Sequence, residues 1–471
     1  MPSVSWFLLS LTRDDPGRLN LNTGYMLRYF SDCGGMETRN TGARLLARRF
    51  RKQQIKGSEM RAIKIIGAGQ SGLQLGIGLL RHGYDVTVVT NRNRREVGQG
   101  RVLSSQCMFD MALQHERDVG LNLWDRECPP IDGIGLAIVD TDGSRAIDWA
   151  ARLDAPAQSV DQRVKMPAWM DEFERLGGKL SIMHVSLDEL DQLAGDADLV
   201  LVASGKGEIG RIFKRDNEKS TFDKPMRALA LTYVANMVPR DEYAAVCFNI
   251  IPGIGEYFVF PALTTTGPCE VMVFEGIPGG PMDCWAEVKN PDQHLEKSKQ
   301  ILQEFLPWEA ERCRDLRLTD DNGILAGRFS PIVKEPIGRL PSHTAVLGMA
   351  DTVCLNDPIT GQGSNNASKS AAIYLDAILL RESDPFDEEW MQQTFDAYWD
   401  DAQWVTRWTN SLLITPTENM QQLLAAAQTR PELASRIVNA FSDPTDFFPW
   451  WEDSQSTDQM LATGRENAAR S

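Results

Sequence analysis

The chain has 471 residues, which is enough for two or three domains with a large core. Its net charge of −16 argues against nucleic acid or an anionic membrane as the main partner, and no apolar run reaches the roughly 18–20 residues of a membrane span. Eight cysteines and five histidines show no metal-ligand spacing, so we expect a cytoplasmic protein with reduced thiols and no metal site.

Residues 1–59 differ from the rest of the chain because they carry ten basic against five acidic side chains. The basic cluster Arg48–Lys52 allows an arm that binds nucleic acid. The alternative that we favour is a disordered extension, with the folded part opening at Met60, close before the first predicted strand.

The first predicted unit is a strand, a glycine-rich turn, a helix and a second strand. An apolar run, Ile63–Ile66, leads into Gly67-Ala68-Gly69-Gln70-Ser71-Gly72; a helix over Leu73–Leu80 and a strand over Val86–Val89 follow. Glycines in this turn let the backbone approach a pyrophosphate, and the helix N-terminus attracts its charge. The pattern predicts a dinucleotide site. At the end of the second strand, Thr90-Asn91-Arg92 replaces the usual acidic residue, so we expect other groups to contact the ribose.

The predicted secondary-structure pattern changes along the rest of the chain. From 61 to about 210 the pattern is βαβ-like, and from about 227 to 281 short alternating strands predict an antiparallel sheet. The later elements are mainly helical. In chain order we predict a helix over Met166–Leu176, strands over Leu199–Val202, Ala244–Ile251, Gly255–Ala262 and Cys269–Phe274, a helix over 292–306, a strand over Thr344–Leu347, a long helix from 361–366 to about Leu380, and a helical tail over 388–442.

A second group of chemistry-bearing residues follows the late strand. Asp351 comes directly after it, and Asp357-Pro358-Ile359-Thr360-Gly361-Gln362-Gly363-Ser364-Asn365-Asn366 leads into the long helix. Pro358 restricts the backbone leading into the helix, and the two glycines let that backbone lie close to a flat ligand. The alternatives are a helix-capping aspartate and an ordinary capped helix after a proline turn.

These motifs, together with Arg101-Val102-Leu103, Gly205-Lys206 and Thr406-Arg407-Trp408-Thr409-Asn410, resemble those of the FAD-dependent aromatic hydroxylases. More narrowly, the chain looks like the two-component styrene and indole monooxygenases from about Ala62 to Trp450. One departure is Ala350, where the family usually has a glycine before the aspartate.

The resemblance implies an α/β fold, with a Rossmann-like FAD-binding domain of the aromatic hydroxylase type, an inserted antiparallel substrate sheet and a C-terminal helical region. We therefore assign 1–59 to the extension, 60–215 and 340–385 to the FAD-binding domain, 216–339 to the substrate-binding sheet and 386–471 to the helical region. FAD, used as FADH2, is then expected to contact Gly67, Gly69, Gln70, Ser71, Gly72, Thr90, Asn91, Arg92, Arg101, Asp351, Pro358, Gly361, Gly363, Ser364 and Asn365. For Arg101, a plain surface salt bridge is the alternative to a pyrophosphate contact.

The resemblance also implies a substrate pocket. Six positions separate the indole branch of the family from the styrene branch, and all six match the indole branch. The six positions are Ser104, Gln106, Met108, Ile131, Ile134 and Ala157. Ser105, which lies between the first two, is added to the predicted pocket. None of these side chains is ionisable, which suits oxygen transfer to an electron-rich double bond. Periodicity alone favours ordinary core positions, and Ala157 rests on an alignment across a small insertion.

The activity implied is epoxidation of indole, leading to indoxyl and indigo, by FADH2 and O2 through a C4a-hydroperoxyflavin. Styrene-like alkenes and sulfides would be secondary substrates. Because the sequence holds no second complete Gly-rich βαβ unit, we expect a separate flavin reductase as partner. The resemblance also allows a homodimer. The alternatives are a single-component NAD(P)H-dependent FAD hydroxylase and a non-catalytic flavin carrier.

Overall fold

The structure is a computed structural model that describes residues 60–205, 207–240 and 242–468, without the side chains of 463–468. The predicted extension 1–59 and Lys206 of the Gly205-Lys206 motif lie outside the described residues. No helix within the described ranges is long and apolar enough to cross a membrane.

The elements of the first half alternate between strands and helices. In chain order they are β1 (Ala62–Ile66), α1 (Gln70–Leu80), β2 (Asp85–Thr90), α2 (Arg94–Gly98), α3 (Asp110–Asp118), β3 (Ile131–Val139), β4 (Arg145–Ala157), α4 (Gln162–Arg175), β5 (Lys179–Ile182), α5 (Leu187–Ala194), β6 (Leu199–Val202), β7 (Ala228–Ala235), β8 (Ala245–Ile251), β9 (Gly255–Thr264) and β10 (Gly267–Gly276).

The second half becomes helical towards its end. Its elements are α6 (Pro291–Phe305), α7 (Pro307–Arg312), β11 (Arg317–Leu318), β12 (Ile324–Gly327), β13 (Ile332–Val333), β14 (Ile337–Arg339), β15 (Ala345–Gly348), β16 (Cys354–Leu355), α8 (Gly363–Arg381), α9 (Glu388–Leu412), α10 (Glu418–Ala427), α11 (Pro431–Asn439) and α12 (Ser454–Ala468). Each strand and helix predicted over 292–380 is confirmed to within two residues at its ends.

The first sheet has six strands in the order β14-β15-β6-β1-β2-β5, and all neighbours except β14 and β15 run parallel. Its central strands are short runs of Ile, Leu and Val with little exposed surface, as expected for a parallel sheet covered on both faces. Helix α1 packs in the core cluster of this sheet and, unlike most helices, is buried all round because α8 covers its outer side. The predicted first unit is confirmed.

The second sheet has the order β11-β7-β10-β9-β8-β3-β4, with β12 also paired to β7. Strands β7 to β10 are antiparallel, which confirms the predicted sheet over 227–281. At 131–157 the βαβ prediction was wrong. There the chain forms the hairpin β3–β4, whose first strand pairs in parallel with β8. Its second strand alternates between exposed and covered residues, which is the pattern of an antiparallel strand with one solvated face.

This hairpin bears on the domain assignment. Residues 131–157 lie within the range assigned to the FAD-binding domain, but they extend the sheet assigned to the substrate domain. The boundaries stay a proposal. One face of the second sheet packs against α6 and α7, and its other face packs against the C-terminal helices α10 and α11.

Candidate functional site

Three loops meet at the carboxyl edge of the parallel strands, after β1, β6 and β15. Gly67 has a φ of +121°, and a Cβ added there would lie 2.9 Å from the carbonyl oxygen of Ala203. A Cβ on Gly205 would lie 3.0 Å from the Cα of Thr352, on the third loop. Strands β2 and β6 flank β1 on opposite sides, so the strand order reverses at β1. In open α/β sheets ligands bind in the crevice at such a point.

The glycines of the first turn have different tasks. Gly67 needs its left-handed backbone, and a side chain on Gly72 would overlap the Gly67 carbonyl oxygen. Gly69 has an ordinary φ of −93°, and a Cβ there would meet nothing within 4 Å. It is the N-cap of α1 and supplies no side-chain cap, so the first N–H groups of the helix face this open space. The turn therefore has room for an anion.

Two arginines predicted to contact FAD, Arg92 and Arg101, have no acidic partner in the described part of the chain. Within the described ranges, neither Arg92 nor Arg101 has a carboxylate within 4.0 Å, and an added Cβ on Gly100 would lie 3.9 Å from Arg92 Nη1. The backbone N–H of Arg92 contacts Thr90 Oγ1 at 3.4 Å, and Asn91 is exposed. An unpaired guanidinium suits a phosphate. The contact of Arg101 to the pyrophosphate stays a prediction.

The third loop holds Asp351 at an exposed position behind an unusual residue. Ala350 has a φ of +48°, in the left-handed region that favours glycine, and its N–H donates to Ser370 Oγ at 3.2 Å. The glycine usual at this position would adopt that conformation freely. Here the alanine keeps the backbone in it at the cost of steric strain.

The Pro358 loop, residues 357–362, leads into α8. Pro358–Thr360 form one 3₁₀ turn, Gly361 has a φ of +66°, and α8 begins at Gly363, where an added Cβ meets nothing within 4 Å. The first N–H groups of α8 carry no side-chain cap. As at Gly69, uncapped backbone N–H groups lie next to open space.

Asn365 ties this loop to the pocket segment, residues 104–108, and to Phe109 beyond it. Its Nδ2 donates to the carbonyl oxygens of Cys107, at 2.8 Å, and Gly361, at 3.0 Å, while its Oδ1 accepts from the N–H of Phe109 at 2.8 Å. The side chain is buried and fully used within the protein. Its contact to FAD remains a prediction, but its role in joining the two segments is observed.

The six predicted pocket residues fall into three places. Ile131 and Ala157 are paired across β3 and β4, and with Ile134 they lie in the core cluster between the second sheet and the C-terminal helices. Gln106 Nε2 donates to Ser104 Oγ at 2.9 Å. Met108 packs apart from the others, against Ala112 and Leu113 of α3. Ser105 is half-buried beside this group. The set as a substrate pocket stays a prediction.

Ionisable groups lie closer to the pocket segment than the sequence indicated. Lys165 of α4 forms a buried ion pair with Glu116 of α3, and its Nζ lies 3.1 Å from Met108 Sδ. Glu116 also accepts from Gln70 Nε2 at 2.8 Å, at the start of α1. The pattern gave no signal for this pair because Lys165 and Glu116 lie on different helices, 49 residues apart.

Several buried polar atoms around the loops lack a hydrogen-bond partner within the described residues. Sequence reasoning missed Asn366, whose amide nitrogen and oxygen are both unpartnered although the residue is 1% exposed. Others are the side-chain oxygens of Gln106, Gln362 and Thr352. Buried amides normally find partners, so these atoms fit a site completed by a polar ligand. Together with the open glycines, they fit a flavin.

Residues 406–410 support the Pro358 loop from the other side. Thr409 Oγ1 and Thr360 Oγ1 share a hydrogen bond of 2.7 Å, and Thr406 Oγ1 lies 3.5 Å from Cys354 Sγ. Beside it, a surface cavity of about 340 Å³ is lined by Trp404, Arg407 and residues of 445–453, and includes none of the predicted site residues. In the described ranges no group of His, Cys, Asp and Glu side chains could hold a metal ion.

Comparison with known proteins gives consistent relationships. Residues 205–312 match the family model described as "Styrene monooxygenase A putative substrate binding domain". A styrene monooxygenase StyA from Pseudomonas fluorescens is 30% identical over 392 residues, which cover 81% of this chain and 93% of that protein. Among solved structures, the flavin-dependent brominase Bmp2 superposes with a TM-score of 0.61 at 14% identity, covering 88% of this chain and 100% of that one.

A second similar structure is that of CtdE in complex with FAD. It superposes with a TM-score of 0.52 at 12% identity and covers 83% of this chain and 100% of that one. At these identities the solved structures establish the fold, and they confirm the predicted α/β class with its C-terminal helical region.

We expect Ala350→Gly to raise the free energy of unfolding by about 0.5–1 kcal/mol, because the strain of a left-handed alanine, roughly 1–2 kcal/mol, exceeds the entropic cost of glycine in the unfolded chain. Urea denaturation measures the difference. Ala345→Gly, in the adjacent strand β15, is the matched control and should lower stability. Equal losses in both variants would show that Ala350 is not strained.

Proposed function

The chain belongs to the styrene monooxygenase family, and from this membership we propose that it is the oxygenase component of a two-component flavin monooxygenase that epoxidises indole. In this proposal it takes FADH2 from a partner reductase, uses O2, and forms the product that leads to indoxyl and indigo. Styrene-like alkenes are second substrates and sulfoxidation is a side activity. We place the reaction in the cytoplasm, where NAD(P)H supplies the reductase, and keep a homodimer as part of the proposal.

The flavin assignment is supported by complementary features at the two loops. Bare helix N-termini at Gly69 and Gly363 present N–H groups to open space, and Arg92 and Arg101 are free to pair with phosphate. We assign the pyrophosphate to the first turn and the flavin ring to the Pro358 loop. Asp351, exposed at the same edge, would accept from a ribityl hydroxyl.

The residues around the ring would act by orientation and electrostatics. When bound, the reduced flavin would supply the two electrons that activate O2, and one oxygen atom of that O2 would be transferred to the substrate. The start of α8 would direct the positive end of a 19-residue helix at the negative charge that reduced flavin carries around N1 and the C2 carbonyl. Pro358 and Gly361 would let the backbone approach the ring closely enough for that interaction.

The observation that carries the choice of indole is the side chain of Gln106. It is 2% exposed, its nitrogen donates to Ser104, and its Oε1 has no partner within the described residues. An indole N–H is a donor that would satisfy this oxygen, whereas styrene has none. The pocket positions Met108, Ile131 and Ile134 would pack against the flat ring.

Two alternative functions would give different results in an activity assay. A single-component hydroxylase would itself oxidise NAD(P)H when substrate is added. A flavin carrier would bind FADH2 and give no oxygenated product. We favour the two-component enzyme because the sequence has only one Gly-rich βαβ unit and the turn after β6 reads Ser204-Gly205, where single-component hydroxylases have Asp-Gly.

The test of the function is direct. The purified chain is supplied with FAD, NADH, a generic flavin reductase and indole, and indigo formation and O2 uptake are followed. We expect blue pigment only when the reductase is present. NADH consumption without reductase would favour the single-component enzyme, and tight FADH2 binding without product would favour the carrier.

We expect Gly69→Val to abolish flavin binding while the protein stays folded. A Cβ at this position meets no protein atom within 4 Å, so the valine branches would extend into the space assigned to the pyrophosphate. Anaerobic titration with FADH2 measures the affinity, and circular dichroism measures the fold. The control Gly327→Val, at a second open glycine in β12, should bind normally. Wild-type affinity in a folded Gly69→Val protein would move the site elsewhere.

A pocket variant tests the substrate assignment. Gln106→Val removes the unpaired acceptor, so indole turnover should fall relative to styrene turnover by ~1–3 kcal/mol in kcat/KM, with unchanged FADH2 affinity. The triple change of Ser104→Asn, Gln106→Val and Met108→His should act in the same direction. Leu103→Ala, an exposed neighbour, is the control. Unchanged relative rates would place the substrate away from this segment.

A further inference from the structure

A cluster of three buried acids lies at the base of the Pro358 loop. Glu256 of β9 and Glu275 of β10 face each other in register across the second sheet, and Asp357 opens the loop. Their exposed fractions are 9%, 0% and 2%. Three carboxyl groups are therefore taken out of water at the point where the sheet meets the proposed flavin loop.

Within the described ranges, only Glu256 of the three acids forms an ion pair with a basic side chain. Arg227 donates to both oxygens of Glu256, at 2.6 and 2.8 Å, and its remaining N–H groups point to backbone carbonyls, including that of Leu413 at the end of α9. Within the described ranges neither Glu275 nor Asp357 forms an ion pair. The arginine therefore neutralises Glu256, and the other two carboxyl groups must be balanced in another way.

A proton shared between Glu275 and Asp357 neutralises one of these two carboxyl groups. Glu275 and Asp357 lie within hydrogen-bonding distance of each other, and neither oxygen of Glu275 receives a hydrogen bond from an N–H or a hydroxyl. Burial, followed by the neighbouring Asp357, raises the pKa of Glu275 well above its usual value, and burial also raises the pKa of Asp357. Two adjacent carboxylates in a dry interior do not both ionise. Glu275 thus donates its proton to Asp357, which also accepts the N–H of Ile359 at 3.2 Å.

We propose that Glu275 is a positioning residue for reduced flavin: its neutral carboxyl group, hydrogen-bonded to Asp357, fixes the Pro358 loop to the second sheet in the shape that binds FADH2. This inference rests on the proposed function, because that function assigns the flavin to the loop. It goes further by naming a residue that contacts neither flavin nor substrate and that acts through Asp357.

The arrangement has a defined response to pH. The groups that face Glu275 are Asp357, Glu256 and Arg227, from the loop, β9 and the residue before β7. Because the pKa of Glu275 is raised in the folded protein, its proton stabilises the loop at low pH, and this contribution is lost as the pH rises through the folded-state pKa. Ionised Glu275 would then repel Asp357 and Glu256, and the loop would move away from the sheet.

The experiment compares Glu275→Gln with Glu270→Gln. A glutamine at 275 keeps a donor towards Asp357 but cannot ionise. Glu270 is the matched control because it lies on the same strand, its pKa is raised by burial to about 7, and it sits near Arg240, Arg312 and Glu309, away from the loop. Two quantities are measured between about pH 6 and pH 9: anaerobic FADH2 affinity, and amide hydrogen exchange of residues 357–363 corrected for intrinsic rate.

We expect the wild-type protein and Glu270→Gln to lose FADH2 affinity by up to about tenfold per pH unit once the pH passes the folded-state pKa of Glu275, with faster loop exchange, and Glu275→Gln to stay flat in both. Glu275→Ala, which removes the donor, should show fast loop exchange at every pH. The same pH dependence in Glu275→Gln as in wild type would overturn the inference. Failure of the wild-type protein to bind FADH2 would refute the proposed function, and loop exchange would still decide whether Glu275 holds the loop.

Discussion

The site depends on the side-chain amide of Asn365 more than on any other single group. It joins two parts of the chain that lie 256 residues apart in sequence, through hydrogen bonds to the backbone of Cys107 and Phe109. All of these atoms are buried, so removing the amide would leave a backbone N–H and a carbonyl unsatisfied, at about 1–3 kcal/mol for each. The segment that carries Ser104 and Gln106 is therefore fixed to the start of α8, and the proposed positions of substrate and flavin are coupled to each other.

The Pro358 loop is held from two further sides. Thr409 of α9 bonds to Thr360, and Gln362 Nε2 donates to the carbonyl oxygen of Phe441 at 2.8 Å, so the C-terminal helices form one wall of the loop. Asp357 reaches the second sheet through Glu275. A loop with left-handed Gly361 and a bare helix end would otherwise be free to move, and these contacts explain how it can present its N–H groups in one orientation.

The sequence predicted the parts whose signals are local. The run Ile63–Ile66, the glycine turn and the return strand Val86–Val89 were predicted correctly because buried parallel strands and tight turns leave strong patterns over few residues. The hairpin at 131–157 was missed because its partner, β8, follows about 90 residues later, and pairing over such a distance has no local pattern. For the same reason the partners of Asn365 and the Glu116–Lys165 pair could be found only in the structure. The strain at Ala350 is an intermediate case: the resemblance marked the position, but its backbone conformation gave the reason.

The charges around the site are arranged in a layer behind it. The predicted pocket side chains are neutral, yet buried charged groups lie close by: Lys165 with Glu116, Arg227 with Glu256, and the Glu275–Asp357 pair with one proton. Each ion pair cancels to a dipole, and the acid pair retains a single negative charge next to the positive end of α8. Buried ion pairs of this kind add little net stability, but each fixes the position of the segments that carry it. The pocket thus gains rigidity from charged groups without placing a base or an acid against the substrate, which suits oxygen transfer to a double bond.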